Sequence, residues 1–179
     1  TSFQAKSGSV IVLDVESGQV LAMVNQPSYN PNNRVGLKLS AVRNRALTDA
    51  YEPGSTVKPF VVGVALESGN YSPQSTIDTT PGFLRVGNFT IRDPLNRGEI
   101  TLGETIMHSS QVGISKLALE LNEYQVRAMF EKLGFGRYAG TGFPGESAGR
   151  LPNHRRWSDI ERAAFSYGYG LTVTPLQLA

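Results

Sequence analysis

The sequence predicts a mixed α/β domain of the α+β kind, an antiparallel β-hairpin followed by a succession of helices. Three observations carry that prediction. Two apolar, β-branched runs at residues 9–14 and 19–25 flank the turn pair Ser17-Gly18. Later segments repeatedly place a Ser, Thr or Asn ahead of apolar residues at three-to-four spacing, the mark of a capped helix. Between them lie stretches rich in Gly, Pro and Asn that cannot continue either element.

Composition bounds what the chain can be. Its 179 residues suffice for one domain with a single core, and 40% apolar with 18% charged residues is the balance of a folded, soluble chain. No apolar run approaches the ~18 residues of a membrane span, and the N-terminus lacks a signal-peptide pattern. With 17 Lys+Arg against 15 Asp+Glu, scattered along the chain, no basic stripe offers itself to nucleic acid. The absence of cysteine excludes disulfides, thiolate metal sites and a Cys nucleophile, so the chemistry falls to oxygen and nitrogen groups.

Taken in order, residues 9–25 form the hairpin and residues 26–35, rich in Pro and Asn, a loop. Apolar Val57, Phe60, Val61, Val64 and Ala65 predict a helix over about 55–68, with Gly69 as a left-handed stop and Pro59 tolerated in the first turn. Residues 70–100 suggest a small β excursion around 83–86 and 89–91. Thr101 with Glu104 makes a capping-box spacing that opens a helix toward His108, and another helix follows over 112–121. Asn122 with Gln125 repeats the cap signature ahead of the stripe Val126, Met129, Phe130 and Leu133, which ends at Gly134. Residues 134–157 form a long loop, and Ser158 with Glu161 caps a last full helix through Phe165. Thr174-Pro175 starts a helix with only four residues left, and a lone hairpin is a marginal sheet. The expectation is a piece of a longer domain with further strands beyond residue 179.

Several motifs call for chemistry, and most are better explained by structure. Gly145-Glu-Ser-Ala-Gly149 matches a nucleophile elbow, but Pro144 before it and Pro152 after it deny the strand and helix that motif needs. Gly134-Phe-Gly-Arg-Tyr-Ala139 matches a dinucleotide fingerprint, yet it leaves a helix rather than a strand, so Gly134 is a helix C-cap. His108 and His154 have no second ligand at helical spacing and are expected to be ordinary surface or cap residues; no metal and no cofactor is implied.

Ser55-Thr-Val-Lys58 is different because of its context. Ser55 stands where a helix opens after Glu52-Pro-Gly54, near free backbone N–H groups and the positive end of the helix dipole. Lys58 shares its face one turn on, and burial beside Val57, Phe60 and Val61 would depress its pKa and let it take the serine proton. On residues alone, a plain N-cap at 55 and a solvated lysine at 58 stay open.

Glu52-Pro-Gly-Ser-Thr-Val-Lys-Pro59, Asn25-Gln-Pro-Ser-Tyr-Asn-Pro-Asn-Asn33, Arg43-Asn-Arg45, Ser109-Ser-Gln-Val-Gly-Ile-Ser-Lys116 and Tyr167-Gly-Tyr-Gly-Leu-Thr-Val-Thr-Pro175 together resemble class B penicillin-binding proteins, in particular their division-specific (septal) branch. The resemblance runs over essentially the whole chain. It implies a penicillin-binding transpeptidase / β-lactamase-like fold, an antiparallel sheet with flanking helices, of which residues 1–179 are the N-terminal part. It makes Ser55 the acylated nucleophile, Lys58 its proton acceptor and Ser109 the relay to the leaving amine. Gln111 stands where the family carries Asn, with the same amide groups on a stem one methylene longer. No Lys-Thr-Gly occurs in the chain, and its single Lys-Ser-Gly, at residues 6–8, stands ahead of Ser55; in the family that strand lies further on, and it bears the substrate carboxylate anchor and one oxyanion donor. Loss of one such donor costs about 10² to 10³ in rate, so no useful turnover is expected from these residues alone.

The resemblance implies a peptidoglycan D,D-transpeptidase with stem peptides as substrates, β-lactams as acylating inhibitors, cell-division proteins as partners and a place on the periplasmic face of the inner membrane. A serine hydrolase of the same fold, a β-lactamase or D,D-carboxypeptidase, is the rival among enzymes. A non-catalytic module is the rival from another class, and Gln111 is the feature that favours it.

Overall fold

The N-terminal hairpin forms where the residue pattern puts it. In the computed structural model, which describes residues 4–153 and 156–179, β1 (Gly8–Leu13) pairs antiparallel with β2 (Val20–Gln26), Val10 opposite Val24 and Ile11 opposite Met23. Asp14 organises the turn: its carboxylate accepts from the Ser17 backbone N–H at 2.8 Å and hydroxyl at 2.6 Å, and Gly18 supplies the left-handed residue at φ +70°. Those two bonds hold the Asp14 carboxyl below the usual carboxylate range.

Two one-turn helices that the pattern did not announce, α1 (Leu39–Val42) and α2 (Arg45–Thr48), follow the loop. Asn25 ties α2 to the hairpin, since its side-chain oxygen accepts from the Ala46 N–H at 2.9 Å and the Ser9 hydroxyl at 2.7 Å, and its amide donates to Asn44. Helices this short have no independent stability, which is why periodicity did not reveal them.

The main core is helical. α3 (Lys58–Glu67), α5 (Gln111–Glu120), α6 (Glu123–Lys132) and α7 (Asp159–Ser166) gather Val57, Val61, Leu102, Ile114, Leu117, Phe130, Phe165 and Leu171 into one buried cluster. Phe135 stacks on Phe130 and meets Phe60 edge-on, while Trp157 tilts against Phe165. α5 is the central element, buried on most of its circumference. Above it lie β3 (Thr76–Asp78) paired with β6 (Glu99–Thr101), and the hairpin of β4 (Phe83–Val86) and β5 (Phe89–Arg92), with Ile91 and Val86 packed on Ala163 of α7. The expected excursion at 70–100 is therefore two small antiparallel pairs. Among the described residues no helix is long and apolar enough to cross a membrane.

The caps follow the sequence with one correction. Thr101 and Glu104 close a capping box on α4 (Leu102–Met107), as do Ser158 and Glu161 on α7, and Thr174 and Gln177 on the single-turn α8 (Pro175–Leu178). Asn122 does cap α6, but it accepts from the Tyr124 N–H at 2.9 Å and Gln125 returns no bond, so the expected box is a simple cap. Gly69 and Gly134 end their helices at φ +74° and +82°.

The C-terminal end of α5 is closed from another element. Arg162 of α7 donates from Nη2 to the carbonyls of Ala118, Leu119 and Leu121 at 3.0, 2.9 and 2.6 Å, satisfying groups that helix geometry leaves open. Arg162→Met keeps the aliphatic bulk and removes the donors. It is expected to cost about 2–3 kcal/mol of stability, seen as a lowered denaturation midpoint in urea; an unchanged midpoint would show these bonds to be replaceable by water.

Candidate active site

Residues 51–55 are held in place by the segment 168–173. Tyr51 and Val173 exchange backbone hydrogen bonds at 3.0 and 2.9 Å, Gly54 N–H donates to Gly168 O at 3.1 Å, and the Gly170 N–H donates to the Glu52 carboxylate at 2.9 Å. The approach is close enough that a Cβ on Gly168 would sit 2.0 Å from Gly54 O, and Gly168 itself takes φ +85°. This pinning sets the entry to α3. The chain turns at Gly54, φ +62°, into a 3-10 turn over Gly54–Val57, and α3 proper begins at Lys58. Ser55 thus lies one tight turn ahead of the α-helix rather than at its first α-helical residue. It makes no side-chain cap, and its hydroxyl is exposed.

Beneath it the lysine is buried. Lys58 is 1% exposed, set between core residues Val57 and Val61, and its ammonium donates to Ser109 O at 2.5 Å and Ser109 Oγ at 2.9 Å. Burial lowers its pKa to about 8, against a smaller upward pull from the Asp93 charge. A buried cation survives here because the two oxygens of Ser109 replace water.

Ser109 sits at the α4–α5 junction. His108 is the C-cap of α4, Ser109 takes φ +51°, rare for a residue with a Cβ, and Ser110 is the N-cap of α5. Ser110 Oγ accepts from the Gly113 N–H at 2.8 Å, and the fit at Gly113 is tight, since a Cβ would lie 3.0 Å from that same oxygen. Gln111, half-buried, is the first residue of α5; its backbone N–H donates to Asp93 Oδ1 at 2.6 Å.

The structure therefore brings Lys58, Ser109 and the start of α5 at Gln111 together, with Ser55 one turn before Lys58. Among the described residues no hydrogen bond joins Ser55 Oγ to Lys58 Nζ; the lysine is bonded to Ser109. The other motifs take structural places: residues 145–149 lie in a loop, where Ser147 N–H donates to Leu47 O, and Gly134 ends α6. His154 lies outside the described residues. Asp93 is the group that sequence reasoning missed. It follows β5 and stands 17 residues before the hydroxyl it accepts from, so no local spacing links the two.

A mixed α/β fold, with an exposed serine one turn ahead of a buried lysine that bonds a second exposed serine, matches the class of penicillin-binding domains. The chain belongs to the family described as "Penicillin binding protein transpeptidase domain", whose model matches residues 8–179. It is 48% identical over 176 residues to peptidoglycan D,D-transpeptidase FtsI of Escherichia coli K12, covering 98% of this chain and 30% of that protein. It is 42% identical over 177 residues to the probable peptidoglycan D,D-transpeptidase PbpC of Pseudomonas aeruginosa, covering 99% of this chain and 31% of that one. The transpeptidase domain of Burkholderia pseudomallei penicillin-binding protein 3 superposes with a TM-score of 0.87 at 38% identity, over 99% of this chain and 49% of that structure. A Burkholderia ambifaria structure described as a peptidoglycan glycosyltransferase gives a TM-score of 0.88 at 39% identity, over 99% and 52%. The chain thus spans under a third of the length of these curated relatives.

Two glycines test the pinning of the serine turn. Gly168→Ala must push Gly54 aside and is expected to lower stability by about 2 kcal/mol or more. Gly63→Ala, in mid-α3 with nothing within 4 Å of the added Cβ, is expected to be neutral or stabilising by about 0.5–1 kcal/mol. Thermal denaturation of both variants checks the contrast; equal effects would mean the close approach at Gly168 is not what holds the turn.

Proposed function

We propose that the chain carries the nucleophilic half of a peptidoglycan D,D-transpeptidase site, with Ser55 as nucleophile and Lys58 as its proton acceptor. The observation that carries this reading is the buried lysine amine, depressed in pKa and bonded to Ser109, one turn after an exposed serine. A neutral amine keeps two N–H donors, which the carbonyl and hydroxyl of Ser109 accept, and frees a lone pair for the Ser55 proton. This reading requires the exposed Ser55 side chain to turn its hydroxyl to that lone pair. Ser55 Oγ then attacks the carbonyl of a terminal D-Ala–D-Ala bond; the C–N bond breaks, D-alanine leaves with a proton relayed from Lys58 through Ser109, and an acyl-serine ester remains. An amine of a neighbouring stem peptide attacks that ester, restoring the serine. A β-lactam opens on the same oxygen and stays attached. The Gln111 side chain, an amide at the family's Asn position, is read as the group that meets the substrate amide.

The domain extends beyond these residues in this reading. Val10, Val12 and Val24 share one hairpin face and are 61, 45 and 52% exposed, an apolar surface that a further layer of the same domain, packed on the sheet face, would cover. Septal wall synthesis, contacts with cell-division proteins and a periplasmic location at the inner membrane follow from the likeness to FtsI and belong to the same proposal.

Labelling of the intact domain by a fluorescent penicillin tests the assignment. Ser55→Ala is expected to abolish labelling, and persistence of the label would defeat the nucleophile assignment. Because only the neutral amine can accept a proton, the labelling rate should rise about tenfold per pH unit below pH 8 and level off above it. Lys58→Arg, which stays charged throughout, should remove that rise; a rate flat from pH 6 to 9 in the unaltered protein would exclude Lys58 as the base. Prompt hydrolysis of the acyl-serine would favour the hydrolase reading over transfer.

A further inference from the structure

We infer that Asp93 is a positioning residue of this site: its carboxylate clamps the first turn of α5 and thereby fixes Ser109 and Gln111 on either side of the N-cap. The inference rests on the roles given above to Ser55, Lys58 and Ser109.

The clamp is more than an ordinary cap. Ser110 already serves α5 as N-cap by accepting from Gly113 N–H. Asp93, from the strand-end after β5, adds a second layer: Oδ2 accepts the Ser110 hydroxyl proton at 2.5 Å, and Oδ1 accepts from the Gln111 and Val112 N–H groups at 2.6 and 3.2 Å. Three successive open donors of the helix, at 111, 112 and 113, are thus all met, and a negative charge sits at the positive end of the helix dipole. Asp93 is itself held, half-buried, by its own N–H donating to Gly82 O at 3.0 Å and by the pairing of β5 with β4.

Ser109 needs such a frame. At φ +51° it is in a conformation that a side-chain-bearing residue keeps only when its surroundings over-determine it. From the α4 side its N–H donates to Ile106 O, and that of Ser110 to Thr105 O. From the α5 side the Asp93 clamp holds the next three residues, and from below Lys58 holds both Ser109 oxygens. Lys58 and Asp93 therefore grip the same short segment from opposite directions. Among the described residues the charge that acts on the Lys58 amine is that of Asp93, so the clamp also reaches the base electrostatically.

A helix cap and a positioning residue make different predictions. In the intact domain, Asp93→Asn removes the charge with little change of shape, Asp93→Glu keeps the charge but displaces it by a methylene, and Asn122→Ala weakens the cap of α6 as a stability control. The readouts are the plateau rate of penicillin labelling, its pH midpoint, and the titration of the Lys58 ε-methylene followed by NMR. Asp93→Asn is expected to lower the plateau roughly tenfold to a hundredfold and to move the pH midpoint and the Lys58 titration downward together. Asp93→Glu should lower the plateau and leave the midpoint near that of the unaltered protein, and Asn122→Ala should change neither. If Asp93→Asn does not fold, the Asp93→Glu pair of readings decides the matter. Asp93→Asn or Asp93→Glu labelling at the unaltered rate with an unmoved midpoint overturns the inference, as does a loss matched by Asn122→Ala. Ser55→Ala in the same series separates the two claims, because label surviving there sinks the nucleophile assignment whatever Asp93 does.

Discussion

One lysine amine, buried where α3 meets the α4–α5 junction, is the interaction on which the site turns. Removing an ammonium from water is costly unless other dipoles replace the lost hydration, and here both oxygens of Ser109 do so. That requirement has consequences in both directions along the chain. It ties Lys58 to a residue in the left-handed region, Ser109, and holds α3 beneath the exposed serine one turn earlier. The same burial that makes the lysine costly brings its proton affinity to a range in which it can exchange protons near neutral pH.

Around that contact the fold behaves as a set of helix ends held by residues from elsewhere in the chain. Asp93 reaches the N-terminus of α5 from the end of β5, and Arg162 reaches its C-terminus from α7. The central helix is therefore closed at both ends by charges of the sign its dipole favours. On the other side of the serine turn, Gly54 and Gly168 approach so closely that neither side tolerates a Cβ at Gly168. Rigidity at the site comes from these crossed anchors rather than from the 3-10 turn, which has little stability of its own.

Much of this was legible from residues alone where the cause was local. The hairpin followed from apolar, β-branched runs around Ser17-Gly18, the boxes at Thr101 and Ser158 from a polar residue with Glu three positions on, and the Thr174 cap from the Thr-Pro pair, whose box with Gln177 appears only in the structure. The helix after Ser55 was legible too, though its first turn is 3-10 because Gly54 and the contact with Gly168 set its entry. The short helices α1 and α2 were not legible, because a single turn shows no periodicity and α2 is held by Asn25, 21 residues before Ala46. The Asn122 cap was legible, its partner was not, since an Asn side chain reaches the second N–H as easily as the third.

By itself the sequence determined the N-terminal hairpin and the longer helices, where most of those helices start and stop, and that a serine and a lysine stand one turn apart. Those properties depend on neighbours within about four residues, through side-chain periodicity and capping. Only the tertiary structure decided that the Lys58 amine bonds Ser109 rather than Ser55, that the lysine is buried, and that Asp93 grips the start of α5. The two contacts join residues 51 and 17 positions apart, and a side chain's partner at that separation is chosen by how the elements pack, not by any spacing written in the chain.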